Sequence, residues 1–506
     1  MLAAGLLMAT VLLSGCSTLP ERDPYLPPES SGEESSAPAV PLKELAICYS
    51  AEDTLNPYTT KTRVNLDLAS LLYSGLTVLD TGGQPQMALA SAVAQTDPLH
   101  WTVTLRSGAV FSDGSPVTAD DVLQSLSLAK SSEHYRTLVS NVSSASKDQN
   151  GAIIFTLASP DVHTAACLTF PILRASTVTS DPGKAPVGSG SYVYTPAADS
   201  QTDATLSANT KASAAPALTP IRLKNLADGS AMLQGLETNQ IQYYFTDLAD
   251  GEIPRSSKAT MQVPLNYLVF LGINQRKEPL KDARVRLALS EAIGRKALCE
   301  TSYSGWAEAA VSPFPSYWAS AVELTGFSPD ENIEQAVAQL SQAGYNTGSD
   351  SSSNAKPLSL ELLVPEGNTF RTAAANQIQE QLGQIGVAVT VTSLTFTEYT
   401  SRLEKGDFDL YLGEIRLTSD LSLRPLLTSQ GAASYGGAGA GATAAAYAQY
   451  LSGESSLAEF VQTFSTDLPY LPLCWRRGMA AYHRSMSQVT PTAFDIYYGI
   501  GDWRLS

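Results

Sequence analysis

The stretch 358-LSLELLVPEGNTFRTAAANQIQEQLGQIGVAVTVTSLTFTEYTSRLEKGDFDLYL-412 decides the fold. Leu358, Leu360, Leu362 and Val364 alternate as a strand does, and Pro365 to Thr369 is a loop. Ala374, Ile378, Leu382 and Ile385 then recur at helical spacing until Gly386, after which Val387, Val389 and Val391 alternate again. The pattern predicts a β-α-β unit with parallel strands and a right-handed crossover. A second helix over Phe396 to Leu403 ends at Gly406 and leads into a strand over Phe408 to Leu412. Sheets built this way take ligands beyond the carboxyl ends of their strands.

Outward from this unit, Ser328-Pro329-Asp330-Glu331 has the spacing of a capping box before a helix carrying Ile333, Ala336, Val337 and Leu340 and ending at Gly344. Lys281 to Leu298 reads as one amphipathic helix, and the Gly- and Ala-rich tract Gly436 to Ala446 reads as a surface loop. Nearer the start, Leu45 to Tyr49 is a short strand, Asp53 to Tyr58 a turn-rich loop, and Leu66 to Leu79 a helix followed by a strand. Trp101 to Arg106 alternates as a half-buried strand, and Thr118 is placed to cap a helix with Asp120 and Asp121 in its first turn.

With 506 residues the chain exceeds what one core supports, so two or three domains are expected. Its 43% hydrophobic and 16% charged residues suit a globular protein, and a formal charge of -17 disfavours nucleic acid as a partner. Leu2 to Leu13 is an apolar run too short to span a bilayer and right for a signal peptide. It ends in Leu13-Ser14-Gly15-Cys16, which resembles the lipobox of bacterial lipoproteins and implies lipidation of Cys16 and cleavage before it; no Lys or Arg precedes the run. Residues 1–15 are thus expected to be a signal peptide, and 16–41, rich in Pro, Ser and Glu, a solvated tether. The spacing of Cys48, Cys167, Cys299 and Cys474 identifies no disulfide, and Cys48 and Cys474 sit in strand-like stretches that suit buried thiols.

Catalytic signatures do not assemble. His100, His134, His163 and His483 are far apart with no H-E-x-x-H, Gly188-Ser189-Gly190-Ser191 does not satisfy G-x-S-x-G, and no P-loop occurs. An enzyme is not expected, and neither a cofactor nor a metal site is predicted.

Several blocks, in order, resemble solute-binding protein family 5, the extracellular oligopeptide-, dipeptide- and nickel-binding lipoproteins of ABC transporters. These are TLNPY at 54–58, LLYSGLTVLDTGGQPQMALA at 71–90, WTVTLRSGAVFSDGSPVTADDVLQSL at 101–126, PVGSGSYVY at 186–194 and YLVFLGINQRKEPLKDARVRLALSEAIGRKAL at 267–298, followed by 328–344 and 358–412. The resemblance implies an α/β fold of the periplasmic-binding-protein type II kind, with two hinged lobes closing on a ligand and a subdomain inserted in the first lobe. On this sequence it implies a first lobe from 42–60, 186–262 and 470–506, an insert over 61–185 and a second lobe over 263–469. It also implies a monomer, tethered by lipid to the outer face of the cytoplasmic membrane, that delivers short peptides to an ABC permease. A nickel chelate or other small solute, or a peptide-sensing receptor role, are the alternatives.

Residue by residue, Arg371 matches an Arg near a helix start that holds a peptide carboxylate in the dipeptide-binding branch, a position that also suits an anion on physical grounds. Asp420 is the nearest match to an Asp that pairs with the ligand's α-amino group, with Glu414 as the substitute, and Arg416 either contacts ligand or pairs with Glu414. Asn56, Tyr58, Trp306 and Tyr435 lie where the family lines its cleft, although packing within their own lobe is an equal expectation.

Overall fold

A computed structural model of the protein describes residues 44–199, 202–212, 214–347 and 356–506. Cys16 and the segments expected to be a signal peptide and a tether lie outside the described residues.

The segment that opened the reading forms the strand Leu358–Pro365, the helix Thr369–Gly383, the strand Val387–Leu394, the helix Phe396–Lys405 and the strand Leu410–Arg416. Leu358–Pro365 lies parallel to Val387–Leu394 along its whole length and parallel to Leu410 and Tyr411 on its other edge. Local chemistry sets the boundaries. Asn368 caps the first helix by accepting from the Arg371 N–H at 2.9 Å, Thr395 and Glu398 form a reciprocal capping box on the second, and Gly406 closes that helix at φ 68°.

This unit belongs to a seven-stranded sheet. Leu410–Arg416 pairs antiparallel with Ala259–Ile273, which pairs with Tyr470–Tyr482, whose far end takes Tyr243–Thr246. The two long strands run the length of the sheet: residues 267–273 pair with Leu410–Arg416 on one side, 268–272 pair with 470–475 on the other, and Met479–Tyr482 lies between Ala259–Gln262 and Tyr243–Thr246. Their register shifts between Pro264 and Leu268, where proline removes a ladder donor.

The sheet is buried on both faces, so alternation sorts neighbours into two cores. Val269, Leu271, Ile273, Leu410 and Leu412 join one, and Leu268, Phe270 and Tyr411 join the other. A third core lies under two four-stranded sheets. In one, Leu45–Tyr49 runs parallel to Ile221–Asn225, followed by Ala204–Ala208 and Tyr192–Thr195; the other is the antiparallel sheet Ala90–Asp97, His100–Leu105, Ile153–Leu157, Val142–Lys147. The helix Ala119–Ser131 beside it is capped by Thr118 and Asp121.

Four expectations change. Residues 281–298 form two helices, Ala283–Ala292 and Arg295–Thr301, because Ile293 is extended and the turn delivers Arg295 into the core, where it donates to Pro472 O at 2.8 Å and Ser290 Oγ at 2.8 Å. The next helix, Ile333–Gln342, is capped by Asn332 rather than Ser328, whose hydroxyl instead accepts from the Asp330 N–H. The Gly- and Ala-rich tract is half helix, Ala442–Ser452. Leu66 to Leu79 contains two short helices, Arg63–Asp67 and Ala69–Leu72, before the strand Thr77–Leu79. Cys48, Cys167, Cys299 and Cys474 are all free and buried.

Candidate functional site

The carboxyl ends of the parallel strands are Pro365, Leu394 and Arg416, and beside them Asn368 and Thr369, at the start of the helix Thr369–Gly383, donate to Ala249 O at 2.7 Å and Gly251 O at 2.5 Å across a seam. Period two puts Glu414 and Arg416 on one side of their strand, and Tyr267 is the register partner of Arg416. Glu414 is the hub. Its Oε1 accepts from Arg476 Nη1 at 2.6 Å, and its Oε2 lies 3.5 Å from Arg371 Nε. The Arg476 side chain is only 2% exposed, so its charge needs that carboxylate; it also donates to the Asp247 carbonyl and lies 5.4 Å from the Tyr267 ring centre. Tyr267 donates its hydroxyl to Asp247 Oδ2 at 3.2 Å. Arg63 pairs with Asp67 at 2.6 Å within electrostatic reach of Arg416 and Asp247, and burial holds the Asp67 carboxyl above its ordinary range despite that partner.

Farther along the seam residues 161–169 touch residues 419–451 directly. Arg424 Nη2 reaches Asp161 Oδ2 at 3.1 Å, and Val162 N–H donates to Leu451 O at 2.9 Å. His163 bonds the Tyr450 hydroxyl and meets Trp318 edge-on at 5.7 Å. Cys167 Sγ donates to Asp420 Oδ2 at 3.2 Å, and Thr169 and Ser419 hydroxyls are 3.0 Å apart. Burial raises the Asp420 carboxyl and the Cys167 thiol and lowers the His163 imidazole. The space left between Asp161, His163, Trp318, Asp420 and Tyr450 is about 10 Å³, room for a single water. A larger solute enters here only by parting these contacts.

Of the residues singled out from sequence, Arg371, Glu414 and Arg416 come together, while Asp420 lies in the second cluster. Glu414 pairs with Arg371 and Arg476, not with Arg416. Asn56 is buried, its side chain accepting from Tyr58 N–H at 3.1 Å and donating to Thr179 O at 2.8 Å. Tyr58 is buried as well, donating to the Pro171 carbonyl and meeting Tyr135 edge-on at 5.3 Å. Trp306 packs half-buried on the core of the second lobe, and Tyr435 meets Tyr411 at 6.0 Å. Sequence reading missed Arg476, Asp247, Tyr267, Arg63, Asp67, Asp161 and Arg424. The one available signal was Arg476-Arg477 inside the apolar run Tyr470 to Tyr482, since a charge in a buried strand needs a partner.

Residues 84–431 match the family model described as "Bacterial extracellular solute-binding proteins, family 5 Middle". The chain belongs to this family. As a family 5 solute-binding protein it is a binding component of ABC importers rather than a member of an enzyme family, and its fold is that of the type II periplasmic binding proteins. It is 24% identical over 433 residues to the oligopeptide-binding protein AppA of Bacillus subtilis, covering 81% of this chain and 78% of that one. It is likewise 24% identical over 419 residues to the glutathione-binding protein GsiB of Salmonella typhimurium, covering 78% and 79%. Among solved structures the unliganded open form of the murein tripeptide-binding protein MppA superposes with a TM-score of 0.72 at 19% identity, covering 89% of this chain and 95% of that one. A nickel ABC transporter protein from Bacillus halodurans superposes at 0.73 with 17% identity, covering 90% and 98%. Among the described residues no three His, Cys, Asp or Glu side chains are grouped to hold a metal ion, and no helix is long and apolar enough to cross a membrane.

Proposed function

We propose that this family 5 protein captures a short peptide, or a peptide-like solute, between its lobes and presents it to an ABC permease. It works as a monomer on the outer face of the cytoplasmic membrane, held there by lipid on Cys16. The observation that carries the reading is the Arg371–Glu414–Arg476 cluster at the carboxyl ends of the parallel strands, with the Arg63–Asp67 pair in electrostatic reach of its neighbours Asp247 and Tyr267. Such a set offers both signs of charge to a zwitterion. Arg371, in a helix's first turn, shares the Glu414 carboxylate with Arg476. Asp420, buried and raised, is the acid reserved for an amino group, and pairing with a cation would bring its affinity for protons back down. Relatives named for oligopeptides and glutathione support the same class of solute.

Native mass spectrometry of the protein purified from its own host is expected to find a co-purified peptide. A peptide mixture at about 100 times Kd should add about 2.7 kcal/mol to native stability. A thermal shift with nickel chelates and none with peptides overturns the peptide assignment. Cys16→Ser should move the protein from the membrane to the soluble fraction, and unchanged membrane association overturns the anchor.

A further inference from the structure

Four arginines gather around Tyr267 and Glu414, and three of them already have carboxylates. Arg63 has Asp67 at 2.6 Å, Arg476 has Glu414 at 2.6 Å and Arg371 has Glu414 at 3.5 Å. Arg416 has neither an ion pair nor a side-chain hydrogen bond among the described residues, and it is exposed. A solvated surface arginine is the ordinary fate of such a residue. This one is held instead: its guanidinium carbon lies 5.8 Å from the centre of the Tyr267 ring, its own register partner in the sheet. Arg476 lies over the same ring at 5.4 Å, so two cations share one aromatic platform and only one of them is neutralised. The Tyr267 hydroxyl is engaged by Asp247, which fixes the platform. The charge of Arg416 is also felt by Asp67 and Tyr135 across the seam, favouring their ionised forms.

We propose that Arg416, rather than Arg371, receives the anionic group of the solute and selects for solutes that carry a free carboxylate. The contact with the Tyr267 ring leaves the guanidinium N–H groups of Arg416 unspent, and a fork of free N–H groups is what a bidentate carboxylate needs. Arg371 is then a positioning residue whose charge is balanced by Glu414. The inference rests on the solute-capture reading and adds to it which of the four cations does the selecting.

The test uses the full-length protein in detergent, titrated with a mixture of tri- to pentapeptides bearing free carboxyl termini and with the same mixture amidated, and read by thermal shift. Wild type is expected to bind the free acids about tenfold or more tightly than the amides, the effect of one charge-assisted contact. R416A and R416Q should erase that preference while their unliganded melting temperatures stay at the wild-type value, and R371A should keep it. Persistence of the preference in both Arg416 variants, its loss in R371A alone, or its absence from wild type overturns the inference while peptide capture stands. Failure of wild type to respond to either mixture overturns peptide capture and the inference together.

Discussion

Arg424 crosses the seam to Asp161, Nη2 to Oδ2 at 3.1 Å, and meets a carboxylate only 4% exposed. The same guanidinium donates to Ser159 Oγ at 2.7 Å and Pro160 O at 3.1 Å, so one side chain holds three consecutive residues that lie far from it in sequence. Removing it leaves a buried, uncompensated carboxylate, a loss of about 3–5 kcal/mol for the contact arrangement. R424A is therefore expected to favour parted lobes, visible as a larger radius of gyration in small-angle scattering without ligand. D161N/R424A, which has no stranded charge, should recover part of the compaction. Identical scattering from wild type and R424A would remove this pair from any role in closure.

Glu414 is held more firmly by Arg476 than by Arg371, 2.6 Å against 3.5 Å, and Arg476 is the more deeply buried of the two cations. E414Q strands a guanidinium in the sheet and should cost about 3–5 kcal/mol in denaturant-induced unfolding. E414Q/R476M, which replaces the pair by an amide and an apolar side chain, should regain more than half of that. A double variant as unstable as E414Q would show that packing rather than charge sets the cost.

The β-α-β unit was legible because its signals are local. Period two in Leu358 to Val364, helical spacing in Ala374 to Ile385 and the stop at Gly406 each depend on neighbours a few residues away, and the structure has the elements the pattern predicts. The resemblance blocks extended that reading to the lobes. The seam was legible only in part, because its partners are distant in sequence: Glu414 and Arg476 are 62 residues apart, and Asp161 and Arg424 are 263 apart. No periodicity encodes such a meeting. Composition misled at Gly436 to Ala446, where Gly436 serves close approach as well as a left-handed backbone: it has φ 64°, and a Cβ there would lie 2.6 Å from the Ile273 carbonyl oxygen. The helix break at Ile293 was equally hidden, since its cause is the burial of Arg295 against Pro472, far along the chain.

Gly272 and Tyr411 are register partners, and a Cβ on Gly272 would come 1.9 Å from the Tyr411 ring, which covers the bare backbone. Tyr411 in turn packs edge-on against Phe270 and Phe408, at 5.7 Å and 5.3 Å, so it has nowhere to go. G272A should destabilise by about 1–3 kcal/mol, the range for overpacking a filled core. Gly383, at the end of the helix Thr369–Gly383 with open space around its Cα, is the control: G383A should stabilise by about 0.5–1 kcal/mol. Thermal unfolding that ranks the two variants the other way would contradict this packing account.

Asp495 supplies a pH dependence of definite sign. Burial pushes its carboxyl up to about 6, while the Ser70 hydroxyl and the Tyr497 N–H, both donating to Oδ1 at 2.9 Å, pull it down. The folded state thus holds this proton at a pH where the unfolded chain, with an ordinary Asp near 4, has lost it. Between those values the folded state binds more protons, so the contribution of Asp495 is fully present below about pH 4 and is lost as pH rises through about 6. Both hydrogen bonds end on Oδ1, which asparagine keeps, so D495N preserves the contacts and removes the titration. Wild type is expected to lose about 2–3 kcal/mol relative to D495N between pH 4 and pH 7.5. Comparing the two proteins' unfolding free energies across that range isolates the group, because every other titration is common to both. Parallel curves would mean that Asp495 is ionised in the folded protein throughout.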